Sequence, residues 1–272
     1  MTYSTRSDFA GFLQPANRTQ IVDIGAYPID GTPPYADMLQ KGLCDVIGFE
    51  PQLEGFRKLE NKPDESGSYY SAYYFDHAIA DGNNHTIYHC KTPGLTSLLR
   101  PNPGVLALFG DLLPLGAVTH EGETWTSRLD DERLIKRIDY LKIDTQGSEL
   151  MILQNGREKL KDCVAIQVEV PFIPLYHNMP SLGDINNELR SQGFILMNIA
   201  HVKHWGIAGG TTPDQIIDAD FLYVRDYSKP ELMTDEQLKQ LALVMHYIYV
   251  APGLADYCVS ELSRRGVLQV AA

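Results

Sequence analysis

Three carboxylates in this 272-residue chain stand where strand-like apolar runs end: Asp23 in Ile21-Val22-Asp23-Ile24-Gly25, Glu50 after Val46-Ile47-Gly48-Phe49, and Asp144 after Tyr140-Leu141-Lys142-Ile143. In an alternating β/α chain, ligands bind at the carboxyl ends of parallel strands. Gly25 lets the backbone approach a ligand closely, and Glu50 can accept both hydroxyl protons of a ribose. A glycine turn and an acid on neighbouring strand ends are what an adenosine-type cofactor needs. Plainer readings exist for each acid. Asp23 suits an Asx turn, Glu50 a surface carboxylate, and Asp144 the cap of a following helix.

The elements that would position these groups follow from the pattern of the chain. Residues 1–19 read as a lead-in helix and linker. Strands are expected at 20–24, 45–49, about 70–75, 140–143, 164–170, 194–199 and 221–224, with an extra β segment at 85–90. Pro33 and Pro34 suit the first turn of the helix between the first two strands, where a missing N–H costs nothing. A second helix is expected over 52–61. Ser181 with Asp184, and Thr234 with Gln237, form capping boxes that open later helices. From Thr92 to Gly116 the chain is rich in Pro, Gly and Leu without a clean period, and such a stretch inside a domain usually covers a site. Beyond Arg225, Leu238, Leu241, Ala242, Met245 and Ile248 recur at helical spacing. The spacing fits core packing or, alternatively, a homo-oligomer built through the C-terminal helices. The fold class is therefore α/β, a doubly wound sheet followed by a helical pair.

Bulk properties narrow the function. The formal net charge of −12 would repel a polyphosphate, so no nucleic-acid partner is expected. Cys44, Cys90, Cys163 and Cys258 show neither CxxC pairing nor zinc-ligand spacing, and a reducing compartment fits them. The start of the chain lacks the basic region and the apolar core of about 7–15 residues that mark secretion. Leu238 to Val250 is too short to span a bilayer. A cytoplasmic protein with no membrane span is the expectation.

On these residues the chain resembles the FkbM family of S-adenosylmethionine-dependent methyltransferases. The resemblance is carried by Val22-Asp-Ile-Gly-Ala26, by Gly48-Phe-Glu-Pro51 and by Tyr140-Leu-Lys-Ile-Asp-Thr-Gln-Gly-Ser-Glu149; Gln167-Val-Glu-Val170 and Pro174-Leu-Tyr176 add to it. It implies a Rossmann-like class I methyltransferase fold, a seven-stranded sheet with a reversed last strand, occupying 20–228 between the lead-in and a C-terminal helical extension at 229–272. It also implies S-adenosyl-L-methionine as cofactor and O-methylation of a sugar, glycan or related hydroxylated natural product. Asp23, Gly25 and Tyr27 would border the methionine part and Glu50 would hold the ribose. Asp76, His77 and Ala78 would lie by the adenine, and Asp144 would end the strand nearest the methyl. The chain departs from the family pattern at Tyr27-Pro28, where Asn is usual, and at Gln146, where Glu is common.

Methyl transfer to a hydroxyl needs a group that takes its proton as the bond forms. Asp144, Glu169 and His177 are the candidates, with His201 and His204 behind them; Gln146, His204 and Trp205 are expected to face the acceptor. His201-x-x-His204 has no third ligand at a sensible spacing, so no metal is expected. Two other functions compete. A nicotinamide-dependent oxidoreductase or epimerase could use the same βαβ unit, but the first loop is not GxGxxG and no Tyr lies four residues before a Lys. A non-catalytic cofactor-binding partner of glycan-assembly enzymes is the other alternative.

Overall fold

Apolar runs bounded by glycine, proline and acid turns become strands that are buried on both faces, as parallel sheets require. A computed structural model describes residues 3, 8–27, 31–60, 72–210 and 212–269. In chain order the strands are β1 (Thr19–Ile24), β2 (Cys44–Phe49), β3 (Ala72–Phe75), β4 (Ala78–Ala80), β5 (Asn84–Cys90), β6 (Val118–Arg128), β7 (Tyr140–Ile143), β8 (Ala165–Pro171), β9 (Phe194–Trp205) and β10 (Gln215–Arg225). The helices are α1 (Phe9–Leu13), α2 (Ala36–Gln40), α3 (Leu53–Glu60), α4 (Pro103–Leu106), α5 (Leu112–Leu115), α6 (Glu149–Gln154), α7 (Leu182–Ser191), α8 (Asp235–Tyr247) and α9 (Pro252–Arg264). Pro28, positions 70 and 71 of the expected third strand, and position 61 of the expected second helix lie outside the described residues.

Seven strands form one sheet in the order β3-β2-β1-β7-β8-β10-β9. β1, β2, β3, β7 and β8 run parallel, and β10 inserts antiparallel to both β8 and β9. This is the doubly wound sheet with a reversed last strand. On one face α1, α2, α8 and α9 pack through Phe9, Met38, Leu241 and Val259 against Ile21, Val46 and Leu222. On the other, α6 and α7 supply Ile152, Leu153, Ile185 and Leu189 against Val22, Leu141 and Ile166.

Both capping boxes form as expected, at Ser181 and Thr234. The α8 stripe is consumed in this chain's own core: Leu238, Leu241, Ala242 and Met245 are fully buried. A second copy would have to meet other residues. Pro33 and Pro34 stand ahead of α2 rather than in its first turn, because Tyr35 is its N-cap.

Four strands, β4, β6, β9 and β10, were longer or newer than the sequence pattern announced. β9 and β10 extend to Trp205 and back to Gln215, and β6 pairs with β5 and β4 in a small second sheet. Polar residues dominate β6 because both its faces are largely solvated, so no hydrophobic alternation marks it. The stretch between β5 and β6 folds into α4, α5 and short 3₁₀ turns. It closes over the carboxyl ends of the large sheet.

Candidate active site

The turn after β1 is stitched to both neighbours. Gly25 and Ala26 donate their backbone N–H groups to the Phe49 carbonyl at 3.0 and 3.1 Å, and Asp144 N donates to Ile24 O at 2.9 Å. Gly25 has φ +81°, and a Cβ there would lie 1.9 Å from the Asp144 carbonyl oxygen. Only glycine lets the β1 and β7 ends approach this closely.

Around that junction opens a cavity of about 590 Å³, lined by Asp23, Gly25, Tyr27, Glu50, His77, Ala78, Lys142 and Asp144 at one end. The volume suits a drug-sized ligand or cofactor. Asp23, Glu50 and Asp144 thus converge on a single hollow. Asp23 is 2% exposed. Its Oδ2 accepts from the Tyr35 hydroxyl at 2.6 Å, and Lys142 Nζ lies 3.5 Å from Oδ1. Burial raises the Asp23 pKa above the ordinary range, against the lowering by Lys142 and Tyr35. Glu50 Oε1 accepts from Gln52 N at 2.7 Å, and burial pushes the Glu50 carboxyl up to about 7 despite the lowering by backbone N–H groups of Gln52 and Tyr27. Burial alone would lower Lys142, yet the carboxylates of Asp23, Asp144, Asp220 and Glu169 raise it.

The turn after β7 is held from within. Gln146 has φ +58° and Gly147 +114°, and Glu149 folds back so that its carboxylate accepts from the backbone N–H groups of Thr145 and Gly147 at 2.9 Å each. Gln146 Nε2 then bridges two acids, Asp144 Oδ1 at 3.0 Å and Glu169 Oε2 at 2.7 Å, while its Oε1 accepts from the Tyr176 hydroxyl. The Ser97 hydroxyl donates to Gln146 O at 2.6 Å, pinning the stretch after β5 to this turn.

Beyond the turn the cavity changes character. Leu95, Leu112, Leu175, Trp205 and Ile217 form an apolar wall facing Asp218, Asp220 and Lys203. Among the described residues, three buried side-chain polar atoms accept or donate no hydrogen bond: Asp23 Oδ1, Ser148 Oγ and Asp218 Oδ1. All three residues line this cavity. Asp23 Oδ1 and Asp218 Oδ1 each have a lysine ammonium at 3.5 Å instead, whereas buried polar groups are otherwise almost always hydrogen-bonded.

The family model described as the methyltransferase FkbM domain matches residues 23–196. The chain belongs to this family. It is a methyltransferase with the S-adenosylmethionine-binding fold of that family. No curated protein matches the chain in sequence. Among solved structures it is similar to magnesium protoporphyrin IX methyltransferase from Synechocystis PCC 6803 with bound SAM (12% identity, 79% of this chain and 73% of that one, TM-score 0.39). It is also similar to a putative methyltransferase from Thermoplasma acidophilum (10% identity, 78% and 70%, TM-score 0.42). A third is a putative tRNA (m1A22) methyltransferase from Streptococcus pneumoniae (8% identity, 94% and 99%, TM-score 0.38). The fold assignment rests on strand order rather than on these likenesses. The buried Asp23 carboxylate, the glycine junction and Glu50 at the end of β2 fit an S-adenosylmethionine molecule. Among the described residues no cluster of three or more metal-type side chains occurs, and no helix is long and apolar enough to cross a membrane.

Not every expected site residue reaches the cavity. Asp23, Gly25, Tyr27, Glu50, His77, Ala78, Asp144, Gln146 and Trp205 line it. Asp76, His177 and His204 are exposed and do not line it. The backbone N–H of His177 serves as a tie to Arg100 O at 2.8 Å instead. His204 alternates with Lys203 and Trp205 on β9, so the pleat turns it outward. Glu169 is buried behind Gln146 and does not line the cavity, with burial and the nearby Asp144 raising it well above the carboxylate range. Sequence reasoning missed Lys142, Lys203, Asp218 and Asp220. The last two were hidden because the final strand was expected to start only at 221; the alternation Ile217, Ala219, Phe221 would have revealed them.

Proposed function

We propose that this methyltransferase moves the methyl group of S-adenosyl-L-methionine to a hydroxyl of a sugar, glycan or related natural product. The convergence of Asp23, Glu50 and Asp144 on one cavity carries the proposal, because that cavity continues into a second region holding carboxylates opposite an apolar wall. The cofactor supplies an electrophilic methyl group; positioning, desolvation and proton handling fall to the chain. Glu50 accepts from the ribose hydroxyls. His77 and Ala78, two of the three residues expected beside the adenine, line the cavity together with Ile79, and Asp76 does not. Asp23, braced by Tyr35 and Lys142, borders the methionine end.

A hydroxyl is a poor nucleophile until a base takes its proton. Asp144 and the acids of β10 stand where a hydroxyl could be met, and the leucine-rich cover keeps water from competing with it. In-line alignment gains most from such prearranged geometry. His177 has no part in this proposal, since it faces away. The test is incubation of purified protein with methyl-labelled S-adenosylmethionine and a panel of hydroxylated glycans and glycosides, with calorimetry of cofactor binding alongside. Label on an oxygen is the expected result. Label on nitrogen or carbon would refute O-methylation, and failure to bind the cofactor would remove the methyl donor altogether.

A further inference from the structure

Four carboxylates meet at the junction between the cofactor end and the apolar wall, on three adjacent strands: Asp144 after β7, Glu169 on β8, and Asp218 and Asp220 on β10. Their oxygens are differently occupied. Asp144 Oδ1 and Glu169 Oε2 share the Gln146 amide at 3.0 and 2.7 Å. Asp220 Oδ2 accepts from Gln167 Nε2 at 2.6 Å, and Gln167 is in turn held by the Tyr249 hydroxyl at 2.7 Å. Lys203 Nζ sits 3.2 Å from Glu169 Oε1 and 3.5 Å from Asp218 Oδ1. Of these four, Asp218 is the one with a buried oxygen that accepts no hydrogen bond, Lys203 standing 3.5 Å from it, and the residue lines the cavity. Ile217, Leu175 and Trp205 flank it on the acceptor side.

We propose that Asp218 takes the acceptor's proton, and that the positive charge of the bound methyl donor keeps this carboxylate ionised until the methyl leaves. The inference rests on the O-methylation reading. In the step, the acceptor oxygen bonds to the methyl carbon, the carbon–sulfur bond breaks with its electron pair passing to sulfur, and the O–H proton moves to Asp218. One positive and one negative charge vanish together. An unpaired buried charge is costly, and this exchange avoids creating one.

The electrostatics of the cluster agree. Burial pushes Asp218 up to about 6; Lys203 opposes the rise, and Asp144 and Asp220 add to it. Glu169, behind it on β8, faces the same lysine, and His201 on β9 acts on Asp220. A cation arriving in the cavity would strip the proton that Asp218 half-holds near pH 6.

S-adenosylmethionine and S-adenosylhomocysteine share their amine and carboxylate and differ in the methyl and the sulfonium charge, so proton release on binding isolates the effect. Calorimetry at pH 6 in two buffers of different ionisation enthalpy, on the purified full chain, counts the protons. S-adenosylmethionine is expected to release about half a proton more than S-adenosylhomocysteine. In Asp218→Asn that excess disappears while S-adenosylhomocysteine affinity stays within about twofold. In Lys203→Met, the pH of maximal excess moves upward by about one unit, because the opposing cation is gone. The Lys203→Met shift decides the matter should Asp218→Asn fail to fold, as judged by circular dichroism. An excess that persists in Asp218→Asn, that is missing in the wild type with both ligands bound, or that Lys203→Met leaves in place overturns the inference and spares the methyltransferase assignment. Failure of a folded wild-type chain to bind either ligand overturns both.

Discussion

Glu50→Gln separates the cost of this buried acid from the ribose-holding role proposed for it. Glu50 is 3% exposed, and burial raises its carboxyl from 4.5 to about 7. At about 1.4 kcal/mol per unit, that rise amounts to about 3 kcal/mol. The folded chain binds this proton more tightly than the unfolded chain, so between pH 4.5 and pH 7 it carries more protons and loses stability as pH increases. Above pH 7 the loss is complete and flat. The neutral amide of Gln keeps an acceptor for Gln52 N but avoids the ionisation, so the variant should be more stable than wild type at pH 8 by about 1–3 kcal/mol and nearly equal at pH 5. For a chain of this size that corresponds to about 2–4 °C in Tm per kcal/mol. Cofactor binding should move the other way. An ionised Glu50 accepts charge-assisted bonds worth about 1.5–3 kcal/mol each, so wild-type affinity for S-adenosylhomocysteine should weaken about tenfold from pH 8 to pH 6, and Glu50→Gln should be weak and nearly pH-independent. Thermal melts and calorimetry across that pH range supply both readouts. Parallel stability profiles for the two proteins would refute the desolvated-carboxylate reasoning.

Gly25→Ala places a Cβ 1.9 Å from the Asp144 carbonyl at φ +81°; left-handed strain alone costs about 1–2 kcal/mol, and calorimetry should show S-adenosylhomocysteine binding lost, with Tm lowered. Gln146→Glu removes the amide that bridges Asp144 and Glu169 and adds a third acid, so its destabilisation should grow with pH, to about 3 kcal/mol by pH 8 in urea titrations. Arg225→Lys tests the opposite end of the sheet: the guanidinium donates to the carbonyls of Cys163, Gln192 and Lys161 at 2.7, 2.6 and 3.0 Å. Lysine lacks that fork, so chemical denaturation should show a loss of about 2–4 kcal/mol with S-adenosylhomocysteine affinity unchanged.

What the sequence made legible follows the periodicities. β1, β2, β7 and β8 were within a residue of expectation because buried parallel strands read as continuous apolar runs ended by turn residues. The two capping boxes were legible because their chemistry is local. β6 was not, since a strand solvated on both faces has no apolar period. Asp23, Gly25, Glu50 and Asp144 could be placed at one cavity because they sit at the ends of those legible strands. The far part of the cavity was less legible: Gln146 and Trp205 were named, Asp218 and Lys203 were not. Asp218 and Lys203 owe their place to a register between β9 and β10 that is set by contacts across the sheet, and β10 even carries irregularities on both sides of Asp218. His177, read as a loop residue after Pro174-Leu-Tyr176, is exposed and off the cavity because a loop's direction is not written in its local sequence.

The two halves of the cavity are mechanically one. Gln146 holds Asp144 and Glu169 with its amide nitrogen, and its carbonyl groups are held in turn by Ser97 and Tyr176. Tyr176 also donates to Leu95 O, and Leu95 and Ser97 both belong to the cover that walls the acceptor region. A disturbance of that cover therefore reaches the carboxylate bridge through two hydrogen bonds to a single residue. Buried networks of this kind hold geometry firmly when every member is satisfied and fail together when one is not. Glutamate at position 146 would keep the bonds from Ser97 and Tyr176 but could not donate to Asp144 or Glu169, and would repel both acids. The glutamine thus lets the covered, acid-rich part of the cavity sit against the turn after β7.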